Sequence, residues 1–172
     1  MRFLPLILFG YVAIALQVGL SPHLRLGGAT VNFGLIAAVF VALNAPREPA
    51  LLGAFILGLM QDLVSSLPLG TFAFSYGVVA LALSGTQRVV YGAHPLTHAA
   101  VTLAGGIVVA LLLLALGWVR ADARVSFGAS LGTALLSAVA APLLLWFVER
   151  IKRVFGFVPA RLGVSGRGMR LR

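Results

Sequence analysis

Apolar runs broken by short clusters of Pro, Gly, Ser and Arg divide this chain into six segments. They cover residues 3–20, 31–43, 50–67, 72–83 (with an extension toward 90), 96–119 and 127–148. Runs such as 108–116 are apolar on every side, as a fully immersed helix is. None alternates polar and apolar residues over the ~10-residue period of a membrane β-strand. The pattern predicts an all-α integral membrane bundle of six transmembrane helices. Segments two and four fall short of the ~20 residues a perpendicular span needs. They are expected to extend into loop residues, to tilt less, or to lie where the bilayer is thin.

Composition sharpens this picture. Charged residues make up 10% of the chain, against about 25% in soluble domains. The 172 residues leave room for one membrane domain, 1–154, and a basic tail, 155–172. The tail is rich in Gly, Ser and Arg, has little apolar surface to bury and is expected to be disordered. The first segment is longer than a signal-peptide core and no small-x-small cleavage motif follows it closely, so it reads as a retained span. The absence of cysteine excludes disulfides and thiol chemistry.

The net charge of +9 does not signal nucleic acid. The cations gather after the last apolar segment, where they suit topology and anionic lipid. Six spans with a cytoplasmic N-terminus put ten Lys and Arg inside and three, Arg25, Arg120 and Arg124, outside. The positive-inside rule therefore places both termini in the cytoplasm. Arg150, Lys152 and Arg153 are the expected topology anchor on anionic lipid.

One residue stands apart. Asp62 is the only acidic residue embedded in apolar sequence, where a carboxylate costs roughly 2.5–3.5 kcal/mol on insertion scales. It is read either as an inward-facing polar site meeting a partner or a neighbouring helix, or as a carboxylate close enough to the outer interface to meet water. Gly58 lies four residues before it on the same helix face, and Ala54 four before that. Small residues at this spacing let helix backbones approach closely. Gly70 follows in the turn Leu67-Pro68-Leu69-Gly70. Gln17 and Asn32 either hydrogen-bond across helices or mark the interface, which is the reading favoured for Asn32. Gly105-Gly106 suggest close packing, Pro142 a kink in the last span. His94 and His98, separated by a helix-starting Pro95, read as interface histidines and not as a metal site. Paired carboxylates, a phosphate-binding loop, Gly-x-Ser-x-Gly and His-Glu-x-x-His are all missing, so neither an enzyme nor a cofactor is expected.

Several of these features occur in one order. They are Ala15-Leu16-Gln17 closing the first span, Asn32 opening the second, and a Pro-bounded turn before the third. Phe55-Ile56-Leu57-Gly58-Leu59-Met60-Gln61-Asp62-Leu63 and Leu69-Gly70 follow, then Pro142 and Glu149-Arg150-Ile151-Lys152-Arg153 at the end. In this the chain up to about Val154 resembles the MreD family of bacterial rod shape-determining membrane proteins. Val31 departs from it, standing where the family often has proline, and the Arg-rich tail has no counterpart there. The resemblance implies a non-catalytic role in the elongation complex that builds side-wall peptidoglycan. It implies pairing with MreC, a single-span protein with a periplasmic domain, and work alongside MreB, the RodA glycan polymerase and its transpeptidase. A second reading is a small solute transporter or the substrate-binding subunit of a vitamin transporter, which share the size and six-span plan. The spans offer few polar groups to a solute, and a polar- and aromatic-lined cavity would favour that reading.

Overall fold

The computed structural model describes residues 3–86, 95–119 and 126–151. Six helices follow one another: α1 (Phe3–Leu20), α2 (Phe33–Asn44), α3 (Arg47–Val64), α4 (Thr71–Thr86), α5 (Pro95–Val119) and α6 (Phe127–Ile151). Among the described residues there is no sheet, only an isolated bridge between Leu26 and Ala29 in the α1–α2 connection. Lys152, Arg153, His94 and the 155–172 tail lie outside the described residues, and Arg150 falls in the last turn of α6.

Helix ends differ from the hydropathy boundaries for local reasons. α2 starts at Phe33, not at 31, because Asn32 is extended (φ −99°, ψ 92°) and its side chain accepts from the Leu35 N–H at 2.9 Å. It is an N-cap, which offers an orphan amide a partner. α3 starts at Arg47, inside the expected 44–49 turn, which shrinks to Ala45 and Pro46. Glu48 sits in its first turn, where the helix dipole favours an anion, and Pro49 falls where no intrahelical donor is required. α3 stops at Val64 because Ser65 turns extended (φ −84°, ψ 152°). α6 runs through Pro142 as one helix, half-burying a residue that offers no N–H to the Ala138 carbonyl.

α2 is the axis of the bundle. It touches each of the five other helices, and every residue from Phe33 to Ala42 is buried. Around it α1, α3, α4, α5 and α6 pack in that order, each against the next. This explains why α2 reads as apolar on all sides. Twelve residues rise only roughly 18 Å, against a hydrocarbon core of about 30 Å. Enclosed by protein, α2 has no lipid thickness to match. Two helical stretches, Leu96–Val119 and Phe127–Val148, are long and apolar enough to cross a membrane, whereas α1, α2 and α4 carry shorter apolar stretches. α3 carries Arg47, Glu48 and Asp62.

Small residues set the closest approaches. A Cβ on Gly58 would come within 2.5 Å of the Phe72 carbonyl oxygen and the Ala73 Cα, so α3 lies against the backbone of α4. Ala54, on the same face, is fully buried. Gly53 meets Val41 of α2, and Gly106 meets Ala134 of α6. The outward faces are apolar, with Leu8, Tyr11, Phe55, Leu63, Leu143 and Trp146 all exposed.

Gly58→Ala is therefore expected to destabilise the bundle by about 1–3 kcal/mol, the usual range for overpacking, because the clashing atoms are backbone. Gly77→Ala, on α4 with open space where its Cβ would stand, should leave stability unchanged or raise it. Thermal unfolding of both variants in one detergent checks the contrast.

Candidate functional site: a capped helix end beside a polar cavity

At one end of the bundle α1, α3 and α5 finish and α2, α4 and α6 begin. The first turn of a helix leaves its N–H groups without intrahelical acceptors, and in apolar surroundings each needs one. For α4 the acceptor is Asp62, at the end of α3. Its Oδ2 accepts from the Gly70 N–H at 2.9 Å and the Ala73 N–H at 3.0 Å, and its Oδ1 from the Phe72 N–H at 2.8 Å. The Thr71 N–H goes to the Pro68 carbonyl, and Phe74 makes the first regular helical bond, to Gly70. Every amide of the first turn is thus satisfied. Asp62 is 2% exposed, so its carboxylate meets backbone donors and the positive end of a helix instead of water.

Gly58 and Gly70 serve the same contact. Gly58 removes the side chain that would hold α4 away from α3. Gly70 adopts φ +91°, a left-handed conformation that other residues rarely take, and this swings its N–H toward Asp62.

The N-terminus of α2 is held by three other helices. Gln17 of α1 accepts from the Phe33 N–H at 2.8 Å and donates to Ser21 Oγ at 3.1 Å. Tyr76 of α4 donates its hydroxyl to Asn32 Oδ1 at 2.9 Å. Ser137 of α6 accepts from the Asn32 N–H at 2.9 Å and donates to the Thr133 carbonyl at 2.6 Å. Asn32 is therefore a buried junction and not a water-facing marker. Of the two readings of Asn32, the structure shows the hydrogen bond across helices, with its amide oxygen accepting from both the Leu35 N–H and the Tyr76 hydroxyl.

Beside these caps lies a cavity of about 480 Å³ between the end of α3, the start of α6, the α1–α2 connection and α5. Gln17, Asn32, Gln61, Thr30 and Thr133 give it polar lining, and Val109, Ala110 and Leu113 an apolar wall. Among the described residues, Arg25 is its only charged lining residue. Gly34 of α2 leaves room for the Gln61 side chain, since a Cβ there would stand 2.7 Å from Gln61 Oε1. Among the described residues no group of three or more His, Cys, Asp or Glu could hold a metal ion.

The residues singled out in the sequence thus fall into separate places. Asp62, Gly58 and Gly70 meet at the α3–α4 junction, with Ala54 two turns behind. Gln17 and Asn32 meet at the start of α2. Pro142 takes part in neither junction. Tyr76, Ser137 and Thr133 were not found from sequence, and Gln61 entered only as a member of the motif around Asp62. A signal existed for three of them: a lone tyrosine hydroxyl in an apolar span needs a partner, and Thr133 and Ser137 share a helix face four residues apart.

Asp62→Ala strands three donors. At about 1–3 kcal/mol for each buried unsatisfied group, softened by entering water, a loss of about 3 kcal/mol or more is expected. Asp62→Asn should lose less. Hydrogen exchange at Gly70, Phe72 and Ala73 should rise in the alanine variant well before the rest of α4 opens.

The family model of rod shape-determining protein MreD matches residues 1–154. Comparison with curated proteins and with solved structures gave no match. The matched stretch contains all six helices and both capped helix starts, and two helices are of membrane-spanning length and apolarity. The chain is a membrane protein belonging to the MreD family, which serves bacterial cell-shape control.

Proposed function

We propose that this protein is a non-catalytic membrane scaffold of the bacterial elongation complex, spanning the plasma membrane six times with both termini in the cytoplasm. The observation that carries the reading is the family match, which runs unbroken through every helix. The charge distribution supports the orientation. In it the capped helix starts and the cavity lie on the outer side, and Arg150, Lys152 and Arg153 meet anionic lipid on the inner side.

The partner is an MreC-like single-span protein, docked by helix–helix contact. MreB, RodA and its transpeptidase are reached through the assembly. Asp62 and Gly58 act by fixing α3 against α4. That pairing turns a stripe of Leu52, Phe55, Leu59 and Leu63 outward on α3, spaced as one face of a helix. A partner helix could lie along this stripe, with Ala54, Gly58 and Asp62 behind it. A second reading, the substrate-binding subunit of a vitamin transporter, draws on the polar-lined cavity. Genes for MreB and MreC beside this one favour the first reading, and a pair of transport ATPases the second.

Co-purification from membranes tests the scaffold. Asp62→Ala and Gly58→Leu should each lower recovery of the MreC-like partner roughly tenfold, equivalent to about 1.4 kcal/mol, while both variants still insert. Undiminished recovery in both would overturn the mechanism.

A further inference from the structure

Gln61 brings a buried polar side chain to the cavity wall, 6% exposed. Its Oε1 is turned away from that space, toward Gly34 of α2, and has no hydrogen-bond partner there. The carboxylate one residue away is saturated by three amides and does not line the cavity. Among the described residues Arg25 is the one charged side chain lining the space, so this lining favours an anion over a cation. Hydroxyls of Ser21, Thr30, Ser130 and Thr133 surround it, and the α5 wall is apolar. The volume of about 480 Å³ falls within the range of small-molecule sites, about 300–1,000 Å³.

We propose that this cavity binds a small hydroxylated oxyanion of the phosphoglycerol type. Arg25 holds the anionic group, the hydroxyls of Ser21, Thr30, Ser130 and Thr133 take the ligand's O–H groups, and Val109 and Leu113 cover its carbon skeleton. The same chemistry is carried by free glycerol 3-phosphate and by the headgroup of phosphatidylglycerol. The site belongs to the chain itself and stands whether or not an MreC-like partner binds, so its test uses the purified protein alone.

The chain lacks cysteine, so Leu113→Cys places a single thiol in the cavity wall, and Gly77→Cys one on α4 outside it. Labelling by a water-soluble methanethiosulfonate is timed with glycerol 3-phosphate, with dioctanoyl phosphatidylglycerol, and with glycerol or choline as controls. The expected result is slower labelling at position 113 with at least one phosphoglycerol probe, and no change at position 77. Arg25→Ala should weaken the protecting probe roughly tenfold, as loss of a hydrogen bond to a charged group does. Gln61→Leu should weaken it less. Arg25 is exposed, so its variant remains informative if Gln61→Leu fails to fold. Protection by the free probe identifies the soluble form as ligand, and protection by the lipid alone the headgroup. No protection by either, equal protection by glycerol or choline, or protection undiminished by Arg25→Ala would overturn the proposal. So would protection seen only when an MreC-like protein is added, which would make the cavity a protein-docking site.

Discussion

A helix that begins inside an apolar bundle exposes several amide donors with nothing to bind them, and a carboxylate in the same place lacks donors. Asp62 and the first turn of α4 solve each other's problem. Charge-assisted bonds of this sort are worth about 1.5–3 kcal/mol each, enough together to offset the cost of keeping the anion away from water. The pairing also fixes geometry. Three bonds to two oxygens leave α4 one position along α3, and Gly58 permits the backbone distance that position demands. The tight turn ending in Gly70 is part of the same unit, because its left-handed backbone aims one of the three donors.

The start of α2 repeats the principle with uncharged groups. Here the acceptors and donors come from α1, α4 and α6, so the cap ties the central helix to three of its neighbours at once. From Phe33 to Leu43 α2 offers only apolar side chains and glycine, which fix depth and rotation weakly. Directional bonds at one end supply the register that the greasy contacts along the rest of the helix cannot. Polar residues therefore concentrate at that end, and the cavity opens among them.

This arrangement bears on function. The proposed scaffold must present the same outward faces to its partners each time it folds. The α3–α4 pair fixed by Asp62 and the anchored α2 would serve that end. In that proposal Asp62 supports recognition from behind the contact surface, because its oxygens already accept three amides of the chain.

The sequence by itself determined the helix count, the approximate helix ends and the importance of Gly58, Asp62 and Gly70, because hydropathy, glycine spacing and one misplaced charge are local properties. Asn32 at the head of α2 was legible as a position, while its burial was not. The tertiary structure alone decided which amides Asp62 meets, since Gly70, Phe72 and Ala73 reach it only once the chain has turned back. It alone gathered Tyr76 and Ser137 on Asn32 and Gln17 on Phe33, from positions up to 105 residues away in sequence, and put Gln61 beside a cavity. It also made α2 the shortest and most enclosed helix, where length had suggested extension into loops, a smaller tilt or a thin bilayer. The physical reason is common to all of these: a polar atom's partner is chosen by proximity in the folded bundle, and proximity is not written in sequence spacing.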